Sequence, residues 1–177
     1  MIRIMELVSR RIQTSIGELF VAATSDGLCR ISFPVELSGK WFPWFDRYFS
    51  TVPKNGDHPF IQSLGEQLEE YLTKKRTQFE IPLDLRGTDF QTQVWQRLLK
   101  IPYGRTVAYG ELARELGIPG GSRAIGGATG ANPVPIVVPC HRVVGMSGSL
   151  VGFGGGVELK ERLLELEGAR ISFSDSV

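Results

Sequence analysis

The adjacent pair Cys140-His141 gives this sequence a thiol nucleophile next to a base. The pair lies in an apolar, β-branched run that contains three prolines, namely Pro133, Pro135 and Pro139. Proline fixes φ and donates no hydrogen bond, so we expect a stiff, mostly buried segment outside ordinary helix or central sheet. A structural cysteine in the core is the simplest interpretation. Because the polar pair His141-Arg142 would lower a thiol pKa and favour the thiolate, we predict instead that Cys140 is a nucleophile.

Composition is typical of a globular protein. The chain has 177 residues, of which 42% are hydrophobic and 22% are charged, enough for one sizeable domain or two small ones. No apolar run approaches the roughly 18 residues of a membrane span, and the N-terminus lacks a signal-peptide pattern. We therefore expect a cytoplasmic protein without membrane contact, with Cys29 and Cys140 reduced. Two cysteines and two histidines make no credible zinc set, so we expect neither a metal nor a cofactor.

Charge is distributed unevenly along the chain. Residues 1–85 carry 10 basic and 11 acidic side chains, whereas residues 86–142 carry 7 basic and 3 acidic ones, a local sum of +4. Such an excess suits contact with nucleic-acid phosphates. An ordinary solvated face also explains it, so charge alone leaves the partner open.

A meander of three antiparallel strands is predicted near the N-terminus. Hydrophobic alternation is interrupted at Gly17 and at Ser25-Asp26-Gly27, which leaves strands at residues 11–16, 19–23 and 28–33. A short helix then begins at Pro43. Its aromatic side chains fall on one face, which we assign to the hydrophobic core.

One longer helix and one edge strand complete this half of the chain. The helix is predicted from Pro59 to Leu72, with Asp57 as its cap. Residues 79–85 alternate as a strand, and Pro82 places that strand at a sheet edge. Arg86-Gly87 is the predicted boundary between an N-terminal α/β domain, residues 1–85, and a C-terminal domain, residues 86–177.

Helices dominate the second domain. Thr88 or Asp89 is predicted to cap a helix that continues to about Ile101. Two short helices follow, one at residues 109–116 and one at residues 123–130 that Ser122 caps. Two short helices joined by a glycine-containing turn are typical of a helix-turn-helix, a weak indication of DNA binding by itself. A last helix spans about residues 157–167.

The second of these short helices, residues 123–130, contains residues of low helix propensity. Gly126 and Gly127 lie in its interior, at a cost of roughly 1 kcal/mol per glycine relative to alanine. A helix with so few side chains permits close approach by a neighbouring helix or by a nucleic-acid backbone, and the sequence leaves both open. The later segment Gly145–Gly156 is a loop with six glycines, and it lacks the P-loop motif.

Four motifs in this order resemble the O6-alkylguanine-DNA alkyltransferase family. They are Arg123-Ala124-Ile125-Gly126-Gly127-Ala128, Asn132-Pro133-Val134-Pro135, Pro139-Cys140-His141-Arg142-Val143 and Glu167-Gly168. The match is close from about Phe90 to Gly168 and looser over residues 1–85. The resemblance implies an α/β (α+β) fold. It consists of a small, RNase H-like domain of β-sheet and helix, followed by a helical, winged helix-turn-helix-like DNA-binding domain that carries the active cysteine.

The resemblance further implies DNA repair by direct reversal. A monomer binds double-stranded DNA containing O6-alkylguanine, with O4-alkylthymine as a further candidate lesion, and the damaged base rotates out of the stack. Cys140 takes the alkyl group irreversibly, once per molecule and without a cofactor. His141 acts as the base through a bridging water, which the alternation of an extended chain would accommodate. Glu167 orients and charges the imidazole, and Asn132 braces the turn before the cysteine.

Binding residues are also implied by the resemblance. The residues assigned to the pocket are Tyr109, Pro135, Val143, Phe153 and Gly154, and the family often has tyrosine where this chain has Phe153. Arg123 enters the duplex and fills the gap left by the rotated base. The small residues that would fit the minor groove are Ala124, Gly126, Gly127 and Ala128.

Three other functions fit part of the sequence. A cysteine hydrolase needs a base and an oxyanion hole, but the other histidine, His58, lies at the start of an N-terminal helix. Sensors that flip alkylated guanine without repairing it lack the acceptor cysteine, which this chain has at position 140. A transcriptional regulator would use the helix-turn-helix on undamaged DNA.

Overall fold

The structure is a computed structural model that describes residues 6–34 and 42–169. The chain divides into two compact units, Met1–Arg86 and Gly87–Val177, and each is described by itself. The N-terminal residues compared above with a signal peptide lie outside the described ranges. Within those ranges, no helix is long and apolar enough to cross a membrane.

A four-stranded sheet forms the centre of the first unit. Its strands are β1 Leu7–Thr14, β2 Gly17–Thr24, β3 Leu28–Ser32 and β4 Lys54–Asn55. Their order in the sheet is β3-β2-β1-β4, and the short β4 pairs in parallel with β1. The antiparallel meander predicted from the sequence is confirmed, and β1 begins four residues earlier than expected.

Two helices accompany this sheet, α1 at Phe42–Phe49 and α2 at Pro59–Leu72. The aromatic face of α1 belongs to the core, as predicted. Phe45 is fully buried, and its ring meets that of Phe20 edge-on at 6.2 Å. Such a contact adds about 1 kcal/mol to the burial of the two rings.

Two local predictions in this unit are wrong. His58 caps α2, not Asp57, because the His58 Nδ1 accepts the N–H of Phe60. Residues 79–85 form no strand and make only an isolated bridge between Leu83 and Leu28. Instead of a ladder partner, the backbone of Glu80 binds the side-chain amide of Gln67 through both its N–H and its carbonyl.

The second unit contains four α-helices in its described part and a pair of two-residue strands. The elements are α3 Asp89–Leu98, β5 Val107–Ala108, α4 Tyr109–Glu115, α5 Ser122–Gly130, β6 Val143–Val144 and α6 Val157–Leu166. Trp95 of α3 donates its indole N–H to the carbonyl of Ala128 in α5 at 2.8 Å, which holds these two helices together. The strands run in parallel and were not predicted, because two residues are too few to show alternation.

Helix ends in this unit differ from the predictions in two places. α3 starts with a capping box between Thr88 and Gln91, but it ends before Ile101, whose N–H bonds only three residues back in a tighter turn. Ser122 is the first residue of α5 and makes no cap. Gly121 takes the cap position, since its N–H closes a tight turn on the Ile118 carbonyl and a Cβ there would collide with Ile118.

Candidate active site

The cysteine lies in a single 3₁₀ turn, Cys140–Arg142, that leads directly into β6. The prediction of an extended chain here is wrong, because the N–H of Arg142 bonds to the Pro139 carbonyl and the N–H of Val143 to the Cys140 carbonyl. The argument for a bridging water from alternating side chains therefore no longer holds. Both reactive side chains are buried, with Cys140 7% exposed and His141 0% exposed.

Asn132 fastens both ends of the segment that precedes the turn. Its side-chain amide donates to the Val138 carbonyl at 2.9 Å, and its side-chain oxygen accepts the N–H of Val134 at 3.0 Å. Between these anchors, Ile136 has φ 74°, a left-handed conformation that is costly for a β-branched residue. The tightly bonded asparagine holds the backbone in this shape and so fixes where the cysteine lies.

A buried carboxylate, Glu167 at the end of α6, organises the other half of the site. Its Oε1 lies 2.9 Å from Nε2 of His141, and Arg142 binds both carboxylate oxygens through Nε and Nη2 at 2.8 to 3.2 Å. The N–H of Gly104 donates to Oε2. Burial raises the pKa of Glu167, but the hydrogen bonds and charges of His141 and Arg142 outweigh it and bring the pKa to about 2.

The surroundings of His141 favour its neutral form. Burial lowers the pKa of its imidazole and the Arg142 charge adds to this, while the hydrogen bond that His141 donates to Glu167 and the charge of that carboxylate only partly oppose the shift. Glu167 acts on the imidazole in the predicted direction, since it raises the pKa of His141, but burial outweighs this effect in the resting protein. Since Nε2 donates to an ionised carboxylate, the basic lone pair of the ring is on Nδ1.

The surroundings of Cys140 likewise favour the neutral thiol. Burial raises its pKa to about 11, although a hydrogen bond from Asn132, the Lys160 charge and the backbone N–H groups of Cys140 and Ile136 oppose the rise. The sequence predicted that His141 and Arg142 lower this pKa, but Arg142 is engaged with Glu167, the cation that lowers the pKa is Lys160, and burial outweighs its effect. Ionising a thiol of this pKa at pH 7 costs about 5 kcal/mol, which a proton acceptor must help to supply.

The residues predicted to line a pocket are distributed around this centre. Tyr109, the first residue of α4, donates its hydroxyl to the Val151 carbonyl at 3.2 Å. The Phe153 ring meets the His141 ring edge-on at 6.4 Å. Val143 and Pro135 are buried beside the cysteine segment, whereas Gly154 is exposed in the loop.

The residues predicted to contact DNA lie on α5 but not all on one face. Arg123, Ala124 and Gly127 are exposed, whereas Ala128 is 4% exposed and faces inward, where its carbonyl accepts the Trp95 indole. A Cβ added at Gly127 would meet nothing within 4 Å, and one at Gly126 would meet only Tyr109 at 3.9 Å. Packing among the described residues therefore requires neither glycine.

Two family models match the chain. The model of the 6-O-methylguanine DNA methyltransferase, ribonuclease-like domain, covers residues 7–85, and that of the DNA binding domain of the same family covers residues 89–169. The chain belongs to this family of methyltransferases. Both the family resemblance and the two-part fold class predicted from the sequence are confirmed.

Similar proteins agree with this assignment. The methylated-DNA–protein-cysteine methyltransferase of Mycobacterium tuberculosis (strain ATCC 25618 / H37Rv) is 56% identical over 105 residues, 59% of this chain and 64% of that protein. The constitutive enzyme of Bacillus subtilis (strain 168) is 38% identical over 164 residues, 92% of this chain and 95% of its own. The chain therefore covers slightly less than two thirds of the length of the mycobacterial relative, 64%. A crystal structure of M. tuberculosis OGT in complex with DNA aligns with a TM-score of 0.78 and 42% identity, over 90% of this chain and 92% of that one.

Two charged residues of this site were not predicted from the sequence. Arg142 was treated only as a neighbour of the thiol, although it binds Glu167 and donates to the Ile101 carbonyl at 2.6 Å. Lys160 was ignored because lysine on a helix is usually solvated. Its spacing from the buried Leu163 and Leu164 was the available signal, since residues three and four apart share one helix face. Among residues 6–34 and 42–169, no three His, Cys, Asp or Glu side chains come close enough together to hold a metal.

Proposed function

We propose that this methyltransferase repairs double-stranded DNA by moving the alkyl group of O6-alkylguanine to its own Cys140. The observation that carries the proposal is the buried contact of Glu167 with His141, the residue next to the cysteine, at 2.9 Å. A thiol beside a neutral imidazole that a carboxylate orients is the arrangement that activates nucleophilic cysteines.

The reaction starts from neutral groups and separates charge within the site. The proton of Cys140 passes toward Nδ1 of His141, and Glu167 stabilises the imidazolium that forms. The sulfur then attacks the alkyl carbon, the bond from that carbon to O6 breaks, and guanine leaves with the electron pair and takes up a proton. Acid–base groups do not cleave the resulting thioether, so each molecule acts once. Nothing in these steps requires a cofactor.

Helix α5 is the proposed DNA surface. Its exposed residues are small apart from Arg123, and neither interior glycine is needed for packing among the described residues. Of the two explanations for the glycine pair, close approach by a nucleic-acid backbone is therefore favoured over helix packing. The net charge of +4 over residues 86–142 fits the same partner. Ala128 is excluded from this surface because it faces α3.

In this proposal the damaged base leaves the stack and enters a pocket walled by Tyr109, Pro135 and Phe153, while Arg123 fills the gap. Backbone groups at Val143 and Gly154 read the edge of the base. We also propose that the chain acts as a monomer in the cytoplasm, where thiols stay reduced. Neither described cysteine takes part in a disulfide.

Mass spectrometry tests the acceptor. After mixing with duplex DNA that contains O6-methylguanine, the peptide with Cys140 should gain one methylene unit, roughly 14 Da by the exchange of H for CH₃ at sulfur. Cys29 provides the matched control, since it is fully buried and burial raises its pKa to about 12. Cys29→Ala should react like the wild type, and Cys140→Ala should not react while still binding duplex. Methylation of Cys140→Ala, or a second methyl group per chain, would contradict the proposal.

A further inference from the structure

Lys160 is a fully buried lysine whose ammonium joins two separate parts of the second unit. Its side chain is 0% exposed, and Nζ donates to the Val143 carbonyl at 2.6 Å and to the Val151 carbonyl at 3.1 Å. Val143 directly follows the turn that contains Cys140. Val151 lies in the middle of Gly145–Gly156, here called the glycine loop. One charged group therefore binds the nucleophile segment to this loop.

Burying the ammonium of Lys160 has a large desolvation cost, and no ion pair among the described residues offsets it. Removing an ammonium from water costs several kcal/mol unless an opposite charge offsets it. Within the described residues Lys160 has no carboxylate partner, and burial lowers its pKa. An apolar side chain would fill the same space more cheaply. Stability alone therefore does not account for a lysine here.

The titratable groups that face Lys160 all belong to the site. Electrostatic interactions link it to Cys140 and to His141, and its Nζ lies 6.0 Å from the ring of Tyr109. A positive charge at this place is unfavourable beside a protonated imidazole and favourable beside a thiolate. It therefore stabilises the thiolate, whereas the imidazolium that forms with the thiolate depends on Glu167.

The glycine loop is held at one carbonyl by two donors. The Val151 carbonyl accepts both the buried ammonium of Lys160 and the exposed hydroxyl of Tyr109, at 3.1 and 3.2 Å. Two residues further along, Phe153 contacts the ring of His141. A loop with six glycines has a high conformational entropy to lose, so a fixed position for Phe153 requires such an anchor.

We propose that Lys160 is a positioning residue that holds the carbonyls of Val143 and Val151 together, keeps the glycine loop closed beside Cys140 and stabilises the thiolate. It acts through two backbone carbonyls and through its charge, without touching the reacting carbon. The inference rests on the proposed function, in which Cys140 is the acceptor. Its first half, that Lys160 anchors the glycine loop, does not depend on that function, and its second half, that the Lys160 charge stabilises the thiolate, does. The two halves can therefore be tested separately.

Lys160→Met tests both halves, since methionine keeps most of the aliphatic stem and loses the donors and the charge. Arg162→Met is the matched control, because it removes the same charge from an exposed position of the same helix. In hydrogen exchange, amides of the glycine loop should exchange about tenfold faster in Lys160→Met, as expected for a lost hydrogen bond from a charged donor. Arg162→Met should exchange like the wild type. Equal protection of the loop amides in the wild type and both variants would contradict the proposal that Lys160 anchors the glycine loop.

The pH dependence of Cys140 alkylation by iodoacetamide, measured with Cys29→Ala as background, tests the charge. The apparent pKa of the thiol should rise by about one unit in Lys160→Met, the size expected when a nearby opposite charge is lost. An unchanged pH profile would contradict the electrostatic role of Lys160.

Should Lys160→Met not fold, the wild type still provides a test, because a buried, hydrogen-bonded ammonium gives slowly exchanging Nζ protons in ¹⁵N spectra of lysine. Rapid exchange of every lysine ammonium would refute the anchor. A wild type with protected loop amides but no methyl transfer would refute only the proposed function.

Discussion

Replacing Glu167 by glutamine removes the buried carboxylate that His141 and Arg142 share. The pKa of this carboxyl is about 2 in the folded protein against an ordinary value of 4.5. That difference corresponds to about 3 kcal/mol of stability at neutral pH, and it is close to the lower end of the cost of breaking a buried ion pair. Glu167→Gln should therefore lower the free energy of unfolding by about 3 kcal/mol at pH 7.

The sign of the pH dependence follows from the direction of the shift. Because folding lowers the pKa of Glu167, its contribution is complete above pH about 4.5 and is lost as the pH falls toward 2. Urea unfolding should thus show a gap between wild type and Glu167→Gln that shrinks to about half at pH 3. Glu165→Gln is the control, since it removes an exposed carboxylate from the same helix.

The same substitution tests the chemistry. Without the carboxylate, the imidazolium formed when Cys140 loses its proton has no counter-charge, so transfer of methyl from duplex DNA should slow by about 10² or more. The assay is single-turnover transfer of labelled methyl at pH 7. If Glu167→Gln transfers methyl within twofold of the rate of Glu165→Gln, or if the stability gap stays constant from pH 7 to pH 3, the electrostatic account of the site is wrong.

Three further outcomes are expected. Arg123→Ala should slow the repair of duplex DNA more than the reaction with free O6-benzylguanine, and equal losses in both assays would remove its role in base rotation. Gly127→Leu should raise the free energy of unfolding by up to about 1 kcal/mol, because leucine has the higher helix propensity and the space at this position is open. Its affinity for DNA in a fluorescence titration should fall at least tenfold, and unchanged binding would contradict the proposed DNA surface. Alkylation of Cys140 by iodoacetamide in a Cys29→Ala background should rise about tenfold per pH unit between pH 7 and 9, because its pKa is about 11, and a flat profile would show a thiolate at rest.

Local sequence patterns predicted the regular elements well and their ends less well. Alternation and turn residues located the meander, and helical spacing located α2 from Pro59 to Leu72. The errors lie where a side chain from elsewhere replaces the local partner. Gln67 binds the backbone of Glu80 and leaves no ladder there, and the ring nitrogen of His58 takes the cap position expected for Asp57. Tertiary contacts of this kind leave no periodic signal.

The candidate site was predictable in its members but not in its charge states. The motifs around Cys140, His141 and Glu167 point to these residues, and the structure brings His141 and Glu167 within hydrogen-bond distance. The pKa values depended on partners that only the fold reveals. Arg142 lies next to His141 in sequence and was expected to act on the thiol, but its guanidinium is directed to Glu167, so its charge is neutralised before it can help the sulfur.

A neutral resting thiol suits the proposed mechanism, in which each molecule reacts only once. The thiolate is the form that is oxidised or alkylated by stray reagents, and at a pKa of about 11 only about one molecule in 10⁴ carries it at pH 7. An exposed thiol of ordinary pKa would carry it in a few per cent of molecules at the same pH. Burial therefore lowers the thiolate population of the acceptor by a few hundredfold. In the proposed mechanism, the cost of ionisation is met when the alkyl carbon of a damaged base lies at the sulfur and His141 accepts the proton. The ion pair between Glu167 and Arg142 fits this mechanism. An imidazole that already carried a proton on both nitrogens could not accept the proton of the Cys140 thiol.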